Sequence, residues 1–200
     1  MGNRQVSEVM QVSEVTKKNY LVDLDQVDFD DPIAEVDVIR DYNPQRHEME
    51  QLSAIVYENL DDKTCVGYLD VSDHEFWVRG HMPQAPLMPG VIMLEAVAQM
   101  CSFFVQKNKL LGADMVGFGG VEKVRFREPV LPGQRLILMA RLTRIRPRRM
   151  VVCDFQGVVE GKIVLDGSLK GIPLTLEQVP TVSRNQPATA TNRQTDLAAN

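Results

Sequence analysis

The most constraining feature of the sequence is the stretch 91–106, in which all but four residues are apolar or alanine. If the stretch is helical, the four exceptions lie on one narrow stripe, because helical neighbours recur every three or four positions. A helix that is apolar on nearly all sides is buried, so other elements must surround it. The four polar residues are Glu95, Gln99, Ser102 and Gln106.

The predicted helix runs over about residues 90–111 of the chain. Lys107 and Lys109 place positive charge at its C-terminal end, where the helix dipole favours it, and Gly112 is typical of a C-terminal cap. A second, short helix is predicted over residues 45–51, which follow a proline.

The segments on both sides of the long helix have the composition and turn signals of strands. The most N-terminal pair forms a hairpin, and a later strand contains three glycines, which are typical of a bulge. Several antiparallel strands and one long buried helix predict an α+β domain whose sheet curls around the helix. The predicted strands cover residues 52–59, 64–71, 115–126, 135–145, 150–159 and 162–172.

Changes in composition divide the 200 residues into three parts. Residues 1–40 form an acidic extension that is predicted to be partly disordered, and residues 1–31 are expected to be disordered or only loosely docked. The acidic run 22–31 is expected either to be loosely ordered or to lie on a partner surface. Residues 41–177 form the folded domain. Residues 178–200 are rich in Pro, Thr, Asn, Gln and Ala and are predicted to be a disordered tail.

Charge and hydropathy argue against several classes of protein. Residues 1–62 hold 15 acidic and 5 basic residues, whereas the remainder holds 12 acidic and 17 basic ones. A mildly basic body suits an acidic macromolecule, but it lacks the concentrated charge of a general DNA-binding protein. No apolar run is long enough to span a bilayer, and the N-terminus lacks a signal sequence. We therefore expect a cytoplasmic protein whose partners include neither nucleic acid nor membrane.

The three cysteines, Cys65, Cys101 and Cys153, are widely separated in the sequence. Their odd number and spacing predict free, buried thiols in a reducing compartment. No cluster of His, Cys and Asp has the spacing of metal ligands, and there is no glycine-rich phosphate loop. The sequence therefore predicts neither a metal site nor a cofactor.

A proline-rich loop before the long helix carries the first candidate catalytic residue, His81. Pro83, Pro86 and Pro89 fix the backbone φ angle, so the histidine does not lie on a flexible segment. Gly90 lets the backbone N–H at the start of the helix approach a ligand closely. Such an N–H, at the positive end of the helix dipole, suits a carbonyl oxygen that gains negative charge.

Glu95, about one turn into the helix, is the second candidate. Its apolar neighbours favour the protonated form that a general acid needs, and Gln99 at i+4 is placed to orient the carboxyl. A histidine base, a carboxylic acid and a polarising N–H can abstract a proton beside a carbonyl and expel a β-leaving group. Two plainer interpretations stay open, namely a structural His–Glu pair and a buried hydrogen-bond network without a reaction.

The loop and the helix together form one motif, Gly80-His81-x-Pro83-x-x-Pro86-x-Met88-Pro89-Gly90-Val91 followed by Glu95-Ala96-x-Ala98-Gln99. This motif closely resembles the signature of the 3-hydroxyacyl-acyl-carrier-protein dehydratases of fatty acid synthesis. The resemblance covers about residues 41–172. It continues through Val124-Arg125-Phe126-Arg127-x-Pro129-Val130-x-Pro132-Gly133 and, more weakly, through Pro44-x-Arg46.

The resemblance implies a hotdog fold, in which an antiparallel sheet wraps a long central helix. It also implies a homodimer, or a trimer of such dimers, with active sites between protomers. In such a site His81 corresponds to the catalytic histidine, and Glu95 to the catalytic acid contributed by the partner protomer. Gly90 corresponds to the residue whose N–H polarises the thioester carbonyl, and Gln99 to the residue that supports the acid. Glutamate at position 95 is similar to the dehydratase-only branch of the family.

The implied reaction converts 3-hydroxyacyl thioesters on an acyl carrier protein into trans-2-enoyl thioesters, a hydro-lyase step of fatty acid biosynthesis. The acyl chain is expected in an apolar tunnel along the helix, where Met and Phe side chains adapt to its length. Two alternatives remain. The first is a hotdog acyl thioesterase in which Glu95 activates water. The second is a non-catalytic protein of the same fold that binds acyl thioesters or serves as a scaffold.

Five arginines occur within nine residues at 141–149. The plain interpretation is a solvated hairpin turn, because runs of charge usually face water. The functional interpretation is a docking surface for an acidic carrier protein. The candidates for docking are Arg146, Arg148 and Arg149.

Overall fold

The computed structural model describes residues 19–175 and residue 177, and its main element is one antiparallel sheet. The strands are β1 (Ala34–Glu35), β2 (Ala54–Asn59), β3 (Thr64–Asp70), β4 (Met115–Phe126), β5 (Arg135–Arg146), β6 (Met150–Val159) and β7 (Lys162–Leu174). Their order across the sheet is β1-β2-β3-β5-β6-β7-β4, with β1 and β4 at the edges.

All six predicted strands are present, and β4 and β6 have the predicted bounds. The bulge predicted from the glycines of β4 is also present, as a register shift against β7 between Phe118 and Gly120. The two-residue strand β1 was not predicted, because a strand of that length has no alternation to detect.

The long helix, α2 (Gly90–Lys107), packs against one face of the sheet, which we call the inner face. Side chains on the helix such as Phe103 and Phe104 are inaccessible to solvent, as are Leu138 and Leu165 of the sheet. All four belong to one core cluster. The prediction of a buried helix enclosed by a sheet is therefore confirmed.

The predicted C-terminal limit of this helix, at about residue 111, is wrong by four residues, since α2 ends at Lys107. Asn108 closes the last turn, where its Nδ2 donates a hydrogen bond to the carbonyl oxygen of Phe104 (2.9 Å). Lys109 then adopts a φ of +53°, which takes the chain out of the helix. The apolar pattern continues because Leu111 is still buried in the core, although it is no longer helical.

The described part of the acidic extension lies on the opposite, outer face of the sheet. Val22 and Val27 are buried there in a cluster with Val66 and Met139. The extension is also held by a side chain of β6, since Gln156 Oε1 accepts from the N–H of Leu21 and its Nε2 donates to the carbonyl of Asn19. The run 22–31, expected to be loose or on a partner surface, is thus packed on its own domain. Residues 1–18 and the tail 178–200 lie outside the described residues.

The segment between the extension and β2 contains a short helix, α1 (Val36–Ile39), which had not been predicted. The helix predicted over residues 45–51 is a single 3₁₀ turn, His47–Met49. Arg46 and Glu50, on either side of the turn, have extended backbone angles, and Gln51 donates its backbone N–H to Gln99 Oε1 on α2. This segment therefore runs directly over the polar stripe of the central helix.

The three cysteines are free and buried, as predicted. Within residues 19–175 and 177, no helix is long and apolar enough to cross a membrane. The same residues contain no group of three or more His, Cys, Asp and Glu side chains that could hold a metal ion.

Candidate active site

The loop that carries His81 is fixed by several hydrogen bonds. The N–H of His81 donates to the carbonyl of Trp77 (2.8 Å), and the carbonyl of His81 accepts from Leu87 (3.0 Å). Met88, which follows Leu87, donates its backbone N–H to the carbonyl of Val130, and its side chain is buried. The loop is thereby attached both to itself and to the segment that follows β4.

The His81 ring is oriented by a backbone carbonyl. Its Nδ1 lies 2.9 Å from the carbonyl oxygen of Leu87, which can only accept a hydrogen bond. Nδ1 therefore carries the proton, and Nε2 keeps its lone pair in the neutral ring. A base at Nε2 with its ring held in place is what abstraction of a proton from carbon requires.

The N-terminus of α2 lies beside this histidine. The first intrahelical hydrogen bonds are donated by Ile92 and Met93 to the carbonyl of Pro89, so the N–H groups of Gly90 and Val91 precede them. A Cβ atom at position 90 would lie 2.7 Å from the ring of Phe126, so a larger residue there would displace that ring. These residues border a groove of about 560 Å³. The groove is lined by His81, Leu87, Gly90, Met93, Phe126 and Arg127, among others.

Glu95 is half-buried and held by two glutamines. Gln99 Nε2 donates to Glu95 Oε1 (2.8 Å), and Gln45 Nε2 donates to the same oxygen at 3.3 Å. Gln99 is only 2% exposed, and the front segment fixes its amide as well. Its Oε1 accepts from the N–H of Gln51 (2.9 Å), and its Nε2 also donates to the carbonyl of Met49 (2.6 Å). The contact expected between Gln99 and Glu95 is thus present.

Gln45 was not identified from the sequence, although it is the unspecified position of the weak motif Pro44-x-Arg46. Its backbone is braced by Arg46, whose Nη1 donates to the carbonyls of Asn43 (2.7 Å) and Gln45 (2.5 Å). The arginine thereby fixes the loop that presents Gln45 to Glu95. The sequence could have indicated that Gln45 holds Glu95 only if the contact between these two residues, 50 positions apart, had been known.

His81 and Glu95 of one chain open into different cavities. His81 lines the groove at the N-terminus of α2, whereas Glu95 lines a smaller cavity between α2 and the sheet. No hydrogen bond joins the two side chains in the described part of the chain. The structure therefore brings His81 together with Gly90, and Glu95 together with Gln99, but it does not unite the two pairs within one protomer.

The three arginines proposed for docking are exposed on the turn between β5 and β6. The N–H of Arg148 donates to the carbonyl of Leu111 (2.7 Å), which lies beyond the C-terminal end of α2. Since a helix rises about 1.5 Å per residue, this turn is nearly the whole length of α2 away from His81 of the same chain. Arg127, which lines the His81 groove, forms an ion pair with Asp166 (2.6 Å).

Comparison with known proteins identifies the family. The model of the FabA-like domain matches residues 43–168, which is more than half of the chain. The chain belongs to the FabA-like family. The resemblance to the 3-hydroxyacyl dehydratases is therefore confirmed at the level of the family.

Individual relatives agree with this membership. Over 138 residues the chain is 35% identical to the bifunctional enzyme LpxC/FabZ of Chlorobaculum tepidum, covering 68% of this chain and 29% of that protein. The chain thus corresponds to less than a third of the length of this curated relative.

Two solved structures show the fold. A dehydratase heterocomplex, ApeI:P, from Xenorhabdus doucetiae has a TM-score of 0.55 at 16% identity, covering 70% of this chain and 93% of the other. Cj0977, a sigma28-regulated virulence protein from Campylobacter jejuni, has a TM-score of 0.51 at 11% identity, covering 70% and 89%. The architecture is the predicted α+β hotdog fold.

Proposed function

We propose that the protein dehydrates 3-hydroxyacyl thioesters linked to an acyl carrier protein, as in fatty acid biosynthesis. The observation that carries the proposal is the orientation of His81, whose Nδ1 is held by the Leu87 carbonyl while its ring lines the groove at the start of α2. Nε2 of His81 is thereby free to act as a base beside the backbone N–H groups of Gly90 and Val91. Membership of the FabA-like family supports the same assignment.

In the proposed reaction, Nε2 of His81 removes the proton from Cα of the thioester. The N–H of Gly90 donates to the thioester oxygen and stabilises the negative charge that develops on it. Glu95 protonates the hydroxyl on Cβ, the C–O bond breaks and water leaves, while the electrons of the former C–H bond form the trans double bond. Return of the proton from His81 to Glu95 through solvent restores both groups.

The separation of the two candidate residues supports an active site shared by two protomers. Among the described residues, the edge strand β4 has a neighbour on one side only, and it carries the exposed apolar side chains Phe118 (52% exposed) and Phe126 (51%). Val91, at the start of α2, is 69% exposed. An uncovered edge strand with apolar side chains is a site for pairing with a second strand. We propose a homodimer joined along β4, in which Glu95 of one protomer completes the groove of the other; three such dimers give the hexamer.

Product analysis tests the reaction. Purified protein incubated with 3-hydroxybutyryl-acyl carrier protein should form the crotonyl thioester, which mass spectrometry detects as loss of water with the thioester intact. Release of free acid and thiol would instead identify a thioesterase, and binding without turnover a non-catalytic protein. Either of these results overturns the proposal.

We expect Gln45 and Gln99 to position Glu95, with different effects on stability. Gln45→Ala should lower kcat by roughly fivefold, the equivalent of one hydrogen bond, with little change in Tm. Gln99→Ala should lower kcat similarly and also lower Tm by roughly 5 °C, because it additionally removes two bonds to the front segment. Steady-state kinetics and thermal melts measure both. If Gln45→Ala leaves kcat unchanged, its contact with Glu95 has no part in positioning.

The proposed docking of the carrier at Arg146, Arg148 and Arg149 can be tested by charge reversal. Arg148→Glu together with Arg149→Glu should raise KM for a carrier-linked substrate by about tenfold, and added salt should reduce the difference. The control is the N-acetylcysteamine thioester of the same acid, which carries no charged carrier. If only Arg127→Glu raises KM for the carrier substrate, the carrier docks at the groove and not at the turn.

A further inference from the structure

The cavity that contains Glu95 extends from a polar mouth to an apolar floor. The mouth is formed by Gln45, Glu95 and Ala98, close to Phe118 on the edge strand. The far end lies between α2 and the strands β5, β6 and β7, where Cys101, Leu142 and Cys153 are each at most 4% exposed. The cavity is therefore open at the catalytic carboxyl and closed in the core.

Two thiols close the inner end. The sulfur atoms of Cys101 on α2 and Cys153 on β6 are 3.0 Å apart, and Cys153 Sγ also faces the carbonyl of Leu169. The hydrogen bond to Cys153 and burial raise the pKa of the Cys101 thiol well above its usual value. The thiol is therefore uncharged at neutral pH, and the floor is compatible with the end of a hydrocarbon chain.

The walls around the cavity are already closely packed, so they have little room to retreat. A Cβ atom at Gly171, for example, would lie 2.7 Å from Val116 and 2.9 Å from Val151. The volume of the cavity is about 90 Å³. At roughly 30 Å³ for each water-sized group in a liquid, it has room for about three carbon groups.

From this geometry, and on the basis of the proposed function, we infer that this cavity receives the acyl tail and that Cys101 and Cys153 limit its length. With the 3-hydroxyl group at Glu95, the tail enters the cavity from C4 onwards. A tail of about three carbons, C4 to C6, gives substrates of up to about six carbons in total. The preferred substrates are therefore short-chain 3-hydroxyacyl thioesters. Small side chains, rather than the Met and Phe side chains expected from the sequence, set the length limit.

Filling the cavity and enlarging it should shift the preference for acyl chain length in opposite directions. Ser102→Leu, in the wall two helical turns beyond Glu95, should lower the ratio of kcat/KM for the six-carbon substrate to that for the four-carbon substrate by roughly fifteenfold. The leucine side chain takes the room of about two methylene groups of the substrate. Each methylene group that loses its buried place lowers the ratio about fourfold, which is equivalent to roughly 0.8 kcal/mol. Cys101→Ala combined with Cys153→Ala should raise the ratio of kcat/KM for the eight-carbon over the six-carbon substrate by roughly fourfold or more.

The experiment compares kcat/KM for carrier-linked 3-hydroxyacyl chains of four, six, eight, ten, twelve and fourteen carbons across these variants. The control is Val152→Leu, because Val152 stands between two inward-facing residues of β6 and points to the outer face. In Val152→Leu, the dependence of kcat/KM on chain length should match that of the wild type. If Ser102→Leu fails to fold, the double cysteine variant still tests the inference through the opposite shift.

Failure of this inference is distinguishable from failure of the proposed function. If the wild type turns over no 3-hydroxyacyl thioester, the proposed function itself fails. If it turns the substrates over but the ten-carbon chain reacts as well as the six-carbon chain, the length limit is overturned. If the ratios are identical in wild type, Ser102→Leu and the double cysteine variant, the cavity is a packing void and the tail binds elsewhere.

Discussion

Replacing His81 by alanine is expected to lower kcat/KM for a carrier-linked 3-hydroxyacyl substrate by about 10²- to 10⁴-fold, because the reaction loses its base. The fold should persist, since the side chain contributes one hydrogen bond, to the Leu87 carbonyl, and lies at the edge of the core. Loss of such a bond costs about 1 kcal/mol of unfolding free energy. Turnover kinetics and a thermal melt on the same preparation separate the two effects.

His74 provides the matched control for this variant. It lies a few residues before His81, but its side chain is 91% exposed and its Nε2 lies 3.3 Å from the carboxylate of Asp73. His74→Ala should therefore keep kcat/KM within a factor of two of the wild type, as surface substitutions usually do. If His81→Ala were as active as His74→Ala, the assignment of the base would be lost.

The second large effect is expected from mixing two inactive proteins. His81→Ala and Glu95→Ala homodimers each lack one essential group in every site, so both should be nearly inactive. After equal amounts are dissociated and reassociated, half of the dimers are mixed, and each mixed dimer holds one site with both groups intact. A shared active site therefore predicts recovery of about a quarter of wild-type activity, as follows from two-fold symmetry.

An active site contained in one chain predicts no recovery, because no chain in the mixture has both groups. Remixing either variant with itself controls for activity gained in the refolding step. Size-exclusion chromatography with light scattering, run on the same samples, reports whether dimers or hexamers formed. Recovery near a quarter together with a monomeric mass would contradict the shared site.

Much of the fold follows from local pattern. The buried helix was predicted because fewer than a third of the residues in 91–106 are polar and these few share one stripe. The strands were predicted because turn residues separate segments of β-branched and apolar residues. Both signals are carried by neighbouring positions, so they can be read without knowing what lies across the fold.

The errors occur where distant contacts override local preference. The apolar pattern up to Leu111 indicates burial, but the Asn108 cap and the positive φ of Lys109 end the helix first. The acidic run at 22–31 has the composition of a loose segment, yet Val22 and Val27 are buried on the outer face of the sheet. An isolated segment does not indicate which surface will cover it.

The sequence by itself determined the chemical groups of the candidate site, since the histidine loop, the glycine at the start of the helix and the polar stripe follow one another in the chain. Only the tertiary structure revealed how these groups are supported and separated. Gln45 reaches Glu95 across 50 positions, and two thiols 52 positions apart close the adjoining cavity. The same structure divides His81 and Glu95 between two cavities, although they are only 14 positions apart in the sequence. The physical reason is that spacing fixes direction only within one helix or strand, whereas proximity across the fold depends on how the sheet and the helix pack.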